Sequence, residues 1–225
     1  MSINFDRIQA LCFDLDGTLR DTDDQFVQRL ARLLGLFKSF LPNRDSLPLA
    51  RKIVMATESP ANFLFRMPDH FGLDDELSRL GDFIYSLGIG QNPDPFRPVE
   101  GVVEMLKHLQ TRYPMAIVSA RGARSTMAFL DYYNLTPCFT CIATNQTCAH
   151  TKPYPDPVLW AAQRMETPPQ ACLMIGDTIV DIQAGKAAGA QTIGVLCGFG
   201  ERDELQRQGA DLILDSTPDM LEALG

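Results

Sequence analysis

Two carboxylates separated by one residue follow an apolar run near the start of the chain. Residues 8–14 read Ile-Gln-Ala-Leu-Cys-Phe-Asp, and Asp16, Gly17 and Thr18 come soon after. Negative charges placed so close together are costly, because each raises the energy of the other. A divalent cation would remove this cost, and it would also let one carboxylate approach a phosphate group as a nucleophile. The pattern therefore indicates metal-assisted phosphoryl transfer.

Three further polar motifs each fall at or just after the end of a predicted strand. They are Ser119 after Ala-Ile-Val, Lys152 in Thr-Lys-Pro, and Gly176-Asp177-Thr178 with Asp181 after Cys-Leu-Met-Ile. Because ligands of parallel sheets bind outside the carboxyl ends of the strands, we expect all four motifs to converge at that edge. Taken alone, Ser119 is more simply a helix cap, Lys152 a solvated surface charge and Asp181 a residue favoured by a helix dipole. These separate explanations do not account for the fact that all four motifs occur, in order, at the ends of predicted strands.

Each of these residue types suits a step of phosphoryl transfer. Asp14 can attack phosphorus and form an aspartyl-phosphate, and Asp16 can protonate the leaving alcohol and later activate water. Ser119 and Lys152 can hold the phosphoryl oxygens where charge spreads in the transition state. Mg²⁺ prefers oxygen ligands, which the carboxylates of Asp14 and Asp177, a backbone carbonyl and waters can supply. We therefore predict a Mg²⁺ cofactor, with Asp14, Asp16 and Asp177 as its ligands.

The residues predicted to bind the substrate surround these motifs. They are Thr18, Arg20, Ser119, Ala120, Arg121, Lys152 and, further along the chain, Arg66. Arg66 can pair with a substrate carboxylate or a second phosphate, although a solvated surface arginine is the commoner case. The residues predicted to support the site are Gly17, which permits a tight turn, Gly176, Thr178 and Asp181.

The elements that must position these residues alternate between short apolar runs and amphipathic stretches. The predicted strands are 8–14, 115–119, 139–143, 171–176, 192–196 and 211–214, and the predicted helices are 101–112, 122–134, 155–166, 181–189 and 202–209. This alternation predicts an α/β fold, a Rossmann-like parallel sheet with helices on both faces.

Residues 20–95 lack a strand pattern, and the stretches 24–41, 45–57 and 74–88 have helical periodicity. The segment 92–98 is rich in proline and cannot continue a helix. We interpret it as the linker that leads the chain back to the core. We predict a core of residues 1–19 and 96–225 with an inserted small α-helical cap domain at 20–95. A single long helical crossover is the alternative.

Composition narrows the class of protein. The 225 residues carry a formal net charge of −8, and an acidic surface disfavours nucleic acid and anionic membranes as partners. The predicted ligand is instead a small-molecule phosphate ester held in a local positive pocket. No apolar run approaches the roughly 18 residues of a membrane helix, and the N-terminus lacks a signal-peptide pattern.

We therefore predict a cytoplasmic protein whose six cysteines are reduced thiols. The cluster Cys138, Cys141 and Cys148 with His150 leaves a zinc site open as an alternative to ordinary thiols. The sequence carries no signal for an oligomeric state.

In combination, Asp14-Leu-Asp-Gly-Thr-Leu, Ser119, Lys152-Pro and Gly176-Asp-Thr-Ile-Val-Asp181 resemble the four ordered motifs of the haloacid dehalogenase-like superfamily. The resemblance implies a Rossmann-like core, an aspartate nucleophile, Mg²⁺ and a helical cap that closes over the active site and excludes water. Residues 194–202 and 209–215 are similar to phosphoglycolate phosphatase-like members. Dehalogenases of the superfamily need no metal and lack the second aspartate, so Asp16 and Asp177 argue against dehalogenation.

We predict a Mg²⁺-dependent phosphatase that hydrolyses a small phosphorylated metabolite, phosphoglycolate-like or a sugar phosphate monoester, through an aspartyl-phosphate. A β-phosphoglucomutase-like phosphosugar mutase is the alternative, because such mutases keep both aspartates. A non-catalytic binding protein on the same fold is a third possibility, and it is disfavoured because every catalytic position is filled.

Overall fold

A computed structural model of the chain describes residues 3–21, Gly35 and 97–225. The chain separates into two compact units, Met1–Asp21 with Phe96–Gly225, and Thr22–Pro95. All the elements described below belong to the first unit. The helices and the cap predicted for residues 20–95 fall, apart from their first two residues and Gly35, outside the described residues, so the cap stays a prediction.

Six strands of the described residues form one parallel sheet. They are β1 (Ala10–Phe13), β2 (Met115–Val118), β3 (Cys141–Ala143), β4 (Cys172–Gly176), β5 (Gln191–Val195) and β6 (Leu212–Leu214). Their order in the sheet is β3-β2-β1-β4-β5-β6, and every pairing is parallel. Each corresponds to a predicted strand, because short apolar runs are typical of strands that are buried on both faces.

Five helices of the described residues lie between the strands of this unit, and a sixth follows the last strand. They are α1 (Val102–Leu109), α2 (Ala123–Tyr132), α3 (Asp156–Arg164), α4 (Ile179–Ala188), α5 (Arg202–Arg207) and α6 (Met220–Leu224). The first five correspond to predicted helices. α6 was not predicted, because five residues are too short to display helical periodicity. Within the described residues, none of the helices has both the length and the apolar character that a bilayer span requires.

The two faces of the sheet are covered by different helices. Leu11 and Phe13 of β1 lie in the larger hydrophobic cluster, which also contains residues of α1, α2 and α6. Ala10 and Cys12, which alternate with them, lie in the smaller cluster with residues of α3 and α4. Alternate strand residues point to opposite faces of a sheet. The predicted α/β architecture with helices on both faces is therefore confirmed.

The strand order places a switch point between β1 and β4. From β1 the sheet continues through β2 to β3 on one side, and from β4 it continues through β5 to β6 on the other. A reversal of this kind opens a crevice at the carboxyl ends of the two central strands, where ligands of such sheets bind.

The chain leaves this unit and returns to it through two segments that hydrogen-bond to each other. The N–H of Asp21 donates to the carbonyl of Arg97 at 2.9 Å, and the N–H of Val99 donates to that of Leu19 at 3.0 Å. An ion pair joins the same segments, with Nε of Arg97 3.4 Å from Oδ2 of Asp21. Asp21 and Arg97, the residues at the two edges of the described segments, therefore lie side by side.

Candidate active site

The carboxyl ends of β1 and β4 bring three aspartates together. Asp14 follows β1, Asp177 follows β4, and Asp181 lies in the first turn of α4. All three are buried, and their ligand oxygens lie within 4.8 Å of one another. The N–H of Asp14 donates to the carbonyl of Ile175 at 2.9 Å, which fixes the end of β1 against β4. The pairing of β1 with β4 thus places carboxylates that are far apart in the sequence close together.

Lys152 binds two of these aspartates at once. Its Nζ lies 2.6 Å from Oδ1 of Asp14 and 2.6 Å from Oδ1 of Asp181, and its side chain is only 3% exposed. Burial alone would lower the pKa of Lys152, but the two carboxylates raise it above its ordinary value. The ammonium is therefore held in its charged form. One ammonium cannot neutralise three buried carboxylates.

Burial makes Asp14 a weaker acid than an ordinary aspartate. Burial raises the pKa of its carboxyl from 3.8 to about 7, with Lys152 acting against this shift and Asp181 and Asp16 adding to it. Among the described residues, only Lys152 donates to the Asp14 side chain, and it does so at Oδ1. The ionised form of Asp14 is thus costly as it stands, and additional positive charge nearby would stabilise it.

Asp177 is enclosed by the loops that follow β1 and β5. Oγ1 of Thr18 donates to its Oδ1 at 3.3 Å, and the N–H of Phe199 donates to its Oδ2 at 2.8 Å. A Cβ atom at either Gly17 or Gly198 would overlap Oδ2 of Asp177. The two glycines let the backbone approach this carboxylate more closely than any other residue type would permit.

Phe199, Gly198 and Thr217 are site residues that the sequence analysis did not single out. The backbone of the first two closes on Asp177, and Oγ1 of Thr217 donates to the carbonyl of Thr18 at 2.6 Å. The glycines on either side of Phe199, a few residues after β5, were a usable signal, because glycine marks close backbone approach. Thr217 had no such signal in the sequence.

Asp181 positions Lys152. The N–H and Oγ1 of Thr178 donate to Oδ2 of Asp181 at 3.0 Å and 2.6 Å, while Lys152 binds Oδ1. A Cβ atom at Gly176 would overlap the Asp181 carboxyl group, so glycine is required there. Because both oxygens of Asp181 already accept hydrogen bonds, this residue serves to hold Lys152 against Asp14.

The Asp16 carboxylate is paired with two arginines and lies outside the group of three aspartates. Nε of Arg121 is 2.5 Å from its Oδ2, and Nη1 of Arg20 is 3.5 Å from its Oδ1. The N–H of Gly17 donates to the carbonyl of Arg20 at 2.8 Å, which closes a tight loop after β1. Asp16 is 17% exposed, whereas Asp177 and Asp181 are fully buried.

Ser119 directly follows β2, the strand beside β1. Its N–H donates to the carbonyl of Ala143 at 2.9 Å, and its Oγ accepts the N–H of Arg121 at 3.1 Å. Ser119 is buried, whereas the neighbouring Ala120 is exposed. Since Oγ accepts from the backbone here, its own hydroxyl proton is available for donation to a ligand.

The structure tests the zinc alternative but not the role predicted for Arg66. The zinc alternative is wrong, because the three aspartates are the only group of three or more potential His, Cys, Asp or Glu ligands that lie close together in the described part of the chain. His150 instead pairs with Asp156, 3.0 Å from Nδ1 to Oδ1. Arg66 lies outside the described residues, so its role stays a prediction.

Residues 11–195 match the family model described as haloacid dehalogenase-like hydrolase. The chain belongs to this family. The match confirms the superfamily that the four motifs indicated, and with it the prediction of an enzyme.

Two relatives of this hydrolase align over nearly its whole length. Pyrophosphatase PpaX of Anoxybacillus flavithermus is 27% identical over 220 residues, which cover 97% of each chain. The phosphoglycolate phosphatase of Shigella boydii is 26% identical over 240 residues, which cover 98% of this chain and 94% of that one. Both names denote enzymes that release phosphate.

Among solved structures, a putative β-phosphoglucomutase from Bacteroides vulgatus is similar to this hydrolase with a TM-score of 0.70 and 24% identity. The similarity covers 99% of this chain and 90% of the other. At this level of identity the likeness concerns the fold, which a phosphatase and a mutase of the family share.

Proposed function

We propose that this hydrolase is a Mg²⁺-dependent phosphatase that releases phosphate from a small phosphate monoester through an aspartyl-phosphate on Asp14. The observation that carries the proposal is the buried group in which Lys152 joins Asp14 to Asp181 beside Asp177. The names of the two aligned relatives, a pyrophosphatase and a phosphoglycolate phosphatase, support the same class of reaction.

The donors in this group suit Mg²⁺. Asp14 and Asp177 offer buried carboxylate oxygens close together, and small hard cations prefer oxygen ligands. The cluster carries more negative than positive charge, and burial already raises the pKa of Asp14. The carboxylate of Asp16, the third predicted ligand, is paired with arginines and lies outside the group of three buried aspartates, so its part in metal binding stays a prediction. When bound, the ion would neutralise carboxylate–phosphate repulsion and polarise the phosphoryl oxygens.

Two residues are suited to hold the phosphoryl group. An ammonium has three N–H donors, and Lys152 uses two of them on Asp14 and Asp181, which leaves one for a phosphoryl oxygen. The Ser119 hydroxyl can donate a second hydrogen bond. Donors fixed in advance in a buried site stabilise the charge that spreads over the phosphoryl oxygens in the transition state.

The reaction has two steps that share one set of groups. A carboxylate oxygen of Asp14 attacks phosphorus, the bond from phosphorus to the ester oxygen breaks, and Asp16 donates a proton to the departing alcohol. Asp16 then accepts a proton from water, whose oxygen attacks the phosphorus of the aspartyl-phosphate. The bond to Asp14 breaks, which restores its carboxylate and releases inorganic phosphate.

The function is tested by phosphate release from a panel of esters. The panel includes p-nitrophenyl phosphate, phosphoglycolate, pyrophosphate and several sugar phosphates, each with Mg²⁺ or with excess EDTA. We expect release from one or more esters with Mg²⁺ and its loss in EDTA, restored by added Mg²⁺. Sugar phosphate isomerisation that needs a bisphosphate activator and releases no phosphate would identify a mutase instead. Inactivity on the whole panel would contradict the proposal.

Gly198 offers a test of the metal site that does not depend on turnover. A methyl group there would overlap Oδ2 of Asp177 and would lie 2.6 Å from the carbonyl oxygen of Gly17, so Gly198→Ala should displace the carboxylate. Ligand binding to the folded state raises the melting temperature. We therefore expect Mg²⁺ to stabilise the wild type and to stabilise Gly198→Ala far less.

Gly122→Ala is the matched control for this measurement, because its new Cβ would meet only Oδ1 of Asn145, at 3.9 Å. This control should keep the Mg²⁺-dependent rise in melting temperature. Equal stabilisation of Gly198→Ala and the control by Mg²⁺ would show that the ion does not bind at Asp177.

A further inference from the structure

Thr217 is a buried polar residue that borders the site without belonging to the aspartate group. Its Oγ1 lies 2.6 Å from the carbonyl oxygen of Thr18, and both residues are fully buried. Because a carbonyl oxygen can only accept, the hydroxyl proton of Thr217 is directed at Thr18. Among the described residues, no other group donates to this carbonyl. Loss of the Thr217 hydroxyl would therefore leave a buried carbonyl without a partner, which is costly.

Thr18 connects this hydrogen bond to the aspartate group. Its own hydroxyl donates to Oδ1 of Asp177 at 3.3 Å, and Asp177 is fully buried as well. The carbonyl that Thr217 holds and the hydroxyl that contacts Asp177 belong to one residue, so a shift of the Thr18 backbone would also move the hydroxyl. Two hydrogen bonds in series thus join Thr217 to the carboxylate of Asp177.

Cys197 supports the same turn of the chain. Its Sγ lies 3.4 Å from Oγ1 of Thr217 and 3.4 Å from the carbonyl oxygen of Gly17. Since the hydroxyl proton of Thr217 is used on Thr18, the Thr217 oxygen can only accept from the thiol. A thiol is a weak donor, so the Thr217 hydroxyl is the stronger of the two attachments that hold the Gly17–Thr18 turn.

The position of Thr217 is fixed by the hydrophobic core. Thr217 opens a short helical turn, Thr217–Asp219, which is capped by the N–H of Ser216 donating to Oδ2 of Asp219 at 2.8 Å. The turn leads directly into α6, whose Met220 and Leu224 lie in the larger hydrophobic cluster. Thr217 therefore attaches the Gly17–Thr18 turn to a packed part of the protein rather than to another loop.

We propose that Thr217 is a positioning residue for the metal site. It holds Thr18 so that the Thr18 hydroxyl stays on Asp177 and keeps this carboxylate in place beside Asp14. The inference rests on the proposed phosphatase function, in which Asp14 and Asp177 bind Mg²⁺. Thr217 itself contacts neither the ion nor the substrate. Groups that orient metal ligands in this way contribute to metal affinity without binding the metal.

Thr217→Val keeps the shape of the side chain and removes the donor. In a calorimetric titration of Mg²⁺ into the metal-free protein, we expect its affinity to fall by roughly three- to tenfold, since Thr217 lies one hydrogen bond further out than groups that typically cost about 10- to 100-fold. The kcat at saturating Mg²⁺ should change less than the affinity. Thr217→Ser keeps the hydroxyl and should bind Mg²⁺ like the wild type. Thr217→Ala replaces Thr217→Val if the latter does not fold.

Thr192→Val is the matched control. Thr192 is also a fully buried threonine, and its Oγ1 donates to Oδ2 of Asp211 at 3.1 Å. Its valine variant should lose stability in EDTA much as Thr217→Val does, because each loses one buried hydrogen bond. Asp211 does not belong to the aspartate group, so the Mg²⁺ affinity of Thr192→Val should equal that of the wild type.

A double variant tests whether Thr217 acts through Thr18. Thr18→Val removes the donor to Asp177 and should itself weaken Mg²⁺ binding. If Thr217 only positions Thr18, adding Thr217→Val to Thr18→Val should lower the affinity by no more than about twofold further, because residues in one network are not additive. Losses that multiply in the double variant would show that Thr217 does not act through Thr18.

Two further results would overturn the inference. One is wild-type Mg²⁺ affinity in a destabilised Thr217→Val, which would show a structural role alone. The other is a Thr217→Ser variant that binds as weakly as Thr217→Val, which would exclude the hydroxyl as the cause. Mg²⁺ binding by the wild type and its Asp14-dependent hydrolysis of p-nitrophenyl phosphate are measured in parallel. If both are present, these results contradict the role of Thr217 alone, whereas their absence would overturn the proposed function as well.

Discussion

Replacing Asp14 by asparagine should lower the rate of phosphate release by roughly 10⁴-fold or more, the order of loss seen when a covalent nucleophile is removed. The amide is neutral and is a poor nucleophile, so no aspartyl-phosphate can form. The hydrogen bond of this residue to Ile175 uses the backbone N–H, so the sheet should persist. The measurement is kcat on the best ester, with circular dichroism as a check of folding. More than a few per cent of wild-type activity in the pure variant would contradict the assignment.

The same substitution should remove a pH dependence of stability. In metal-free buffer the Asp14 carboxyl has a pKa of about 7 in the folded protein against an ordinary value of 3.8, so between these values the folded state binds more protons than the unfolded state. The contribution of Asp14 therefore makes the wild type less stable as the pH rises from about 4 to about 7. Asparagine does not titrate.

Urea unfolding in EDTA at pH 5 and at pH 8 measures this effect. On going to pH 8, the free energy of unfolding of Asp14→Asn should rise relative to that of the wild type. Groups far from Asp14 titrate alike in both proteins, so the difference reports Asp14 together with the groups that contact it, Lys152 above all. A difference that stays constant between the two pH values would show that Asp14 is not the buried acid whose ionisation is costly.

The centre of the sheet was predictable because its strands are buried on both faces. The strand Cys172–Gly176 is apolar and buried throughout, as is typical of a parallel strand covered by helices. The position of that strand beside Ala10–Phe13 is a pairing between residues far apart in the chain, and no local pattern encodes it. Strand ends could therefore be assigned to an edge of the sheet, whereas their order in the sheet could not.

The site was predictable where a polar residue follows an apolar strand, and it was not where a residue acts through a distant partner. The ion pair of Lys152 with Asp181 spans 29 positions, and that of Arg121 with Asp16 spans 105. The contact of Phe199 with the site uses its backbone N–H, which every residue type except proline possesses. Such contacts depend on how the chain folds back, so they became visible only in three dimensions.

Replacing Asp177 by asparagine should raise the Mg²⁺ concentration for half-maximal activity by roughly 100-fold or more, or abolish activity. A change to a group that merely supports a metal ligand typically costs about 10- to 100-fold in affinity, and Asp177 is proposed as a ligand itself. Asparagine keeps the shape but loses the charge. It also turns an NH₂ group toward Thr18 or Phe199, which both donate to Asp177, so some loss of stability is expected too.

Asp211→Asn separates the loss of a metal ligand from the loss of stability. Asp211 is nearly buried, and it accepts hydrogen bonds from Lys186 at 2.6 Å and from the N–H of Thr192 at 2.9 Å. Its amide variant should therefore be destabilised in a similar way. Because Asp211 is not part of the aspartate group, the Mg²⁺ requirement should stay at the wild-type value.

Titration of Mg²⁺ into the metal-free proteins, followed by calorimetry and by phosphate release, decides the role of Asp177. We expect binding by the wild type and by Asp211→Asn at similar concentrations, and weak or no binding by Asp177→Asn. Equal Mg²⁺ affinity in Asp177→Asn and the wild type would remove Asp177 from the metal site. Full activity of the wild type in EDTA would go further, because Asp14 would then attack phosphorus with only Lys152 to offset the charge of three buried carboxylates, and the metal requirement would be wrong.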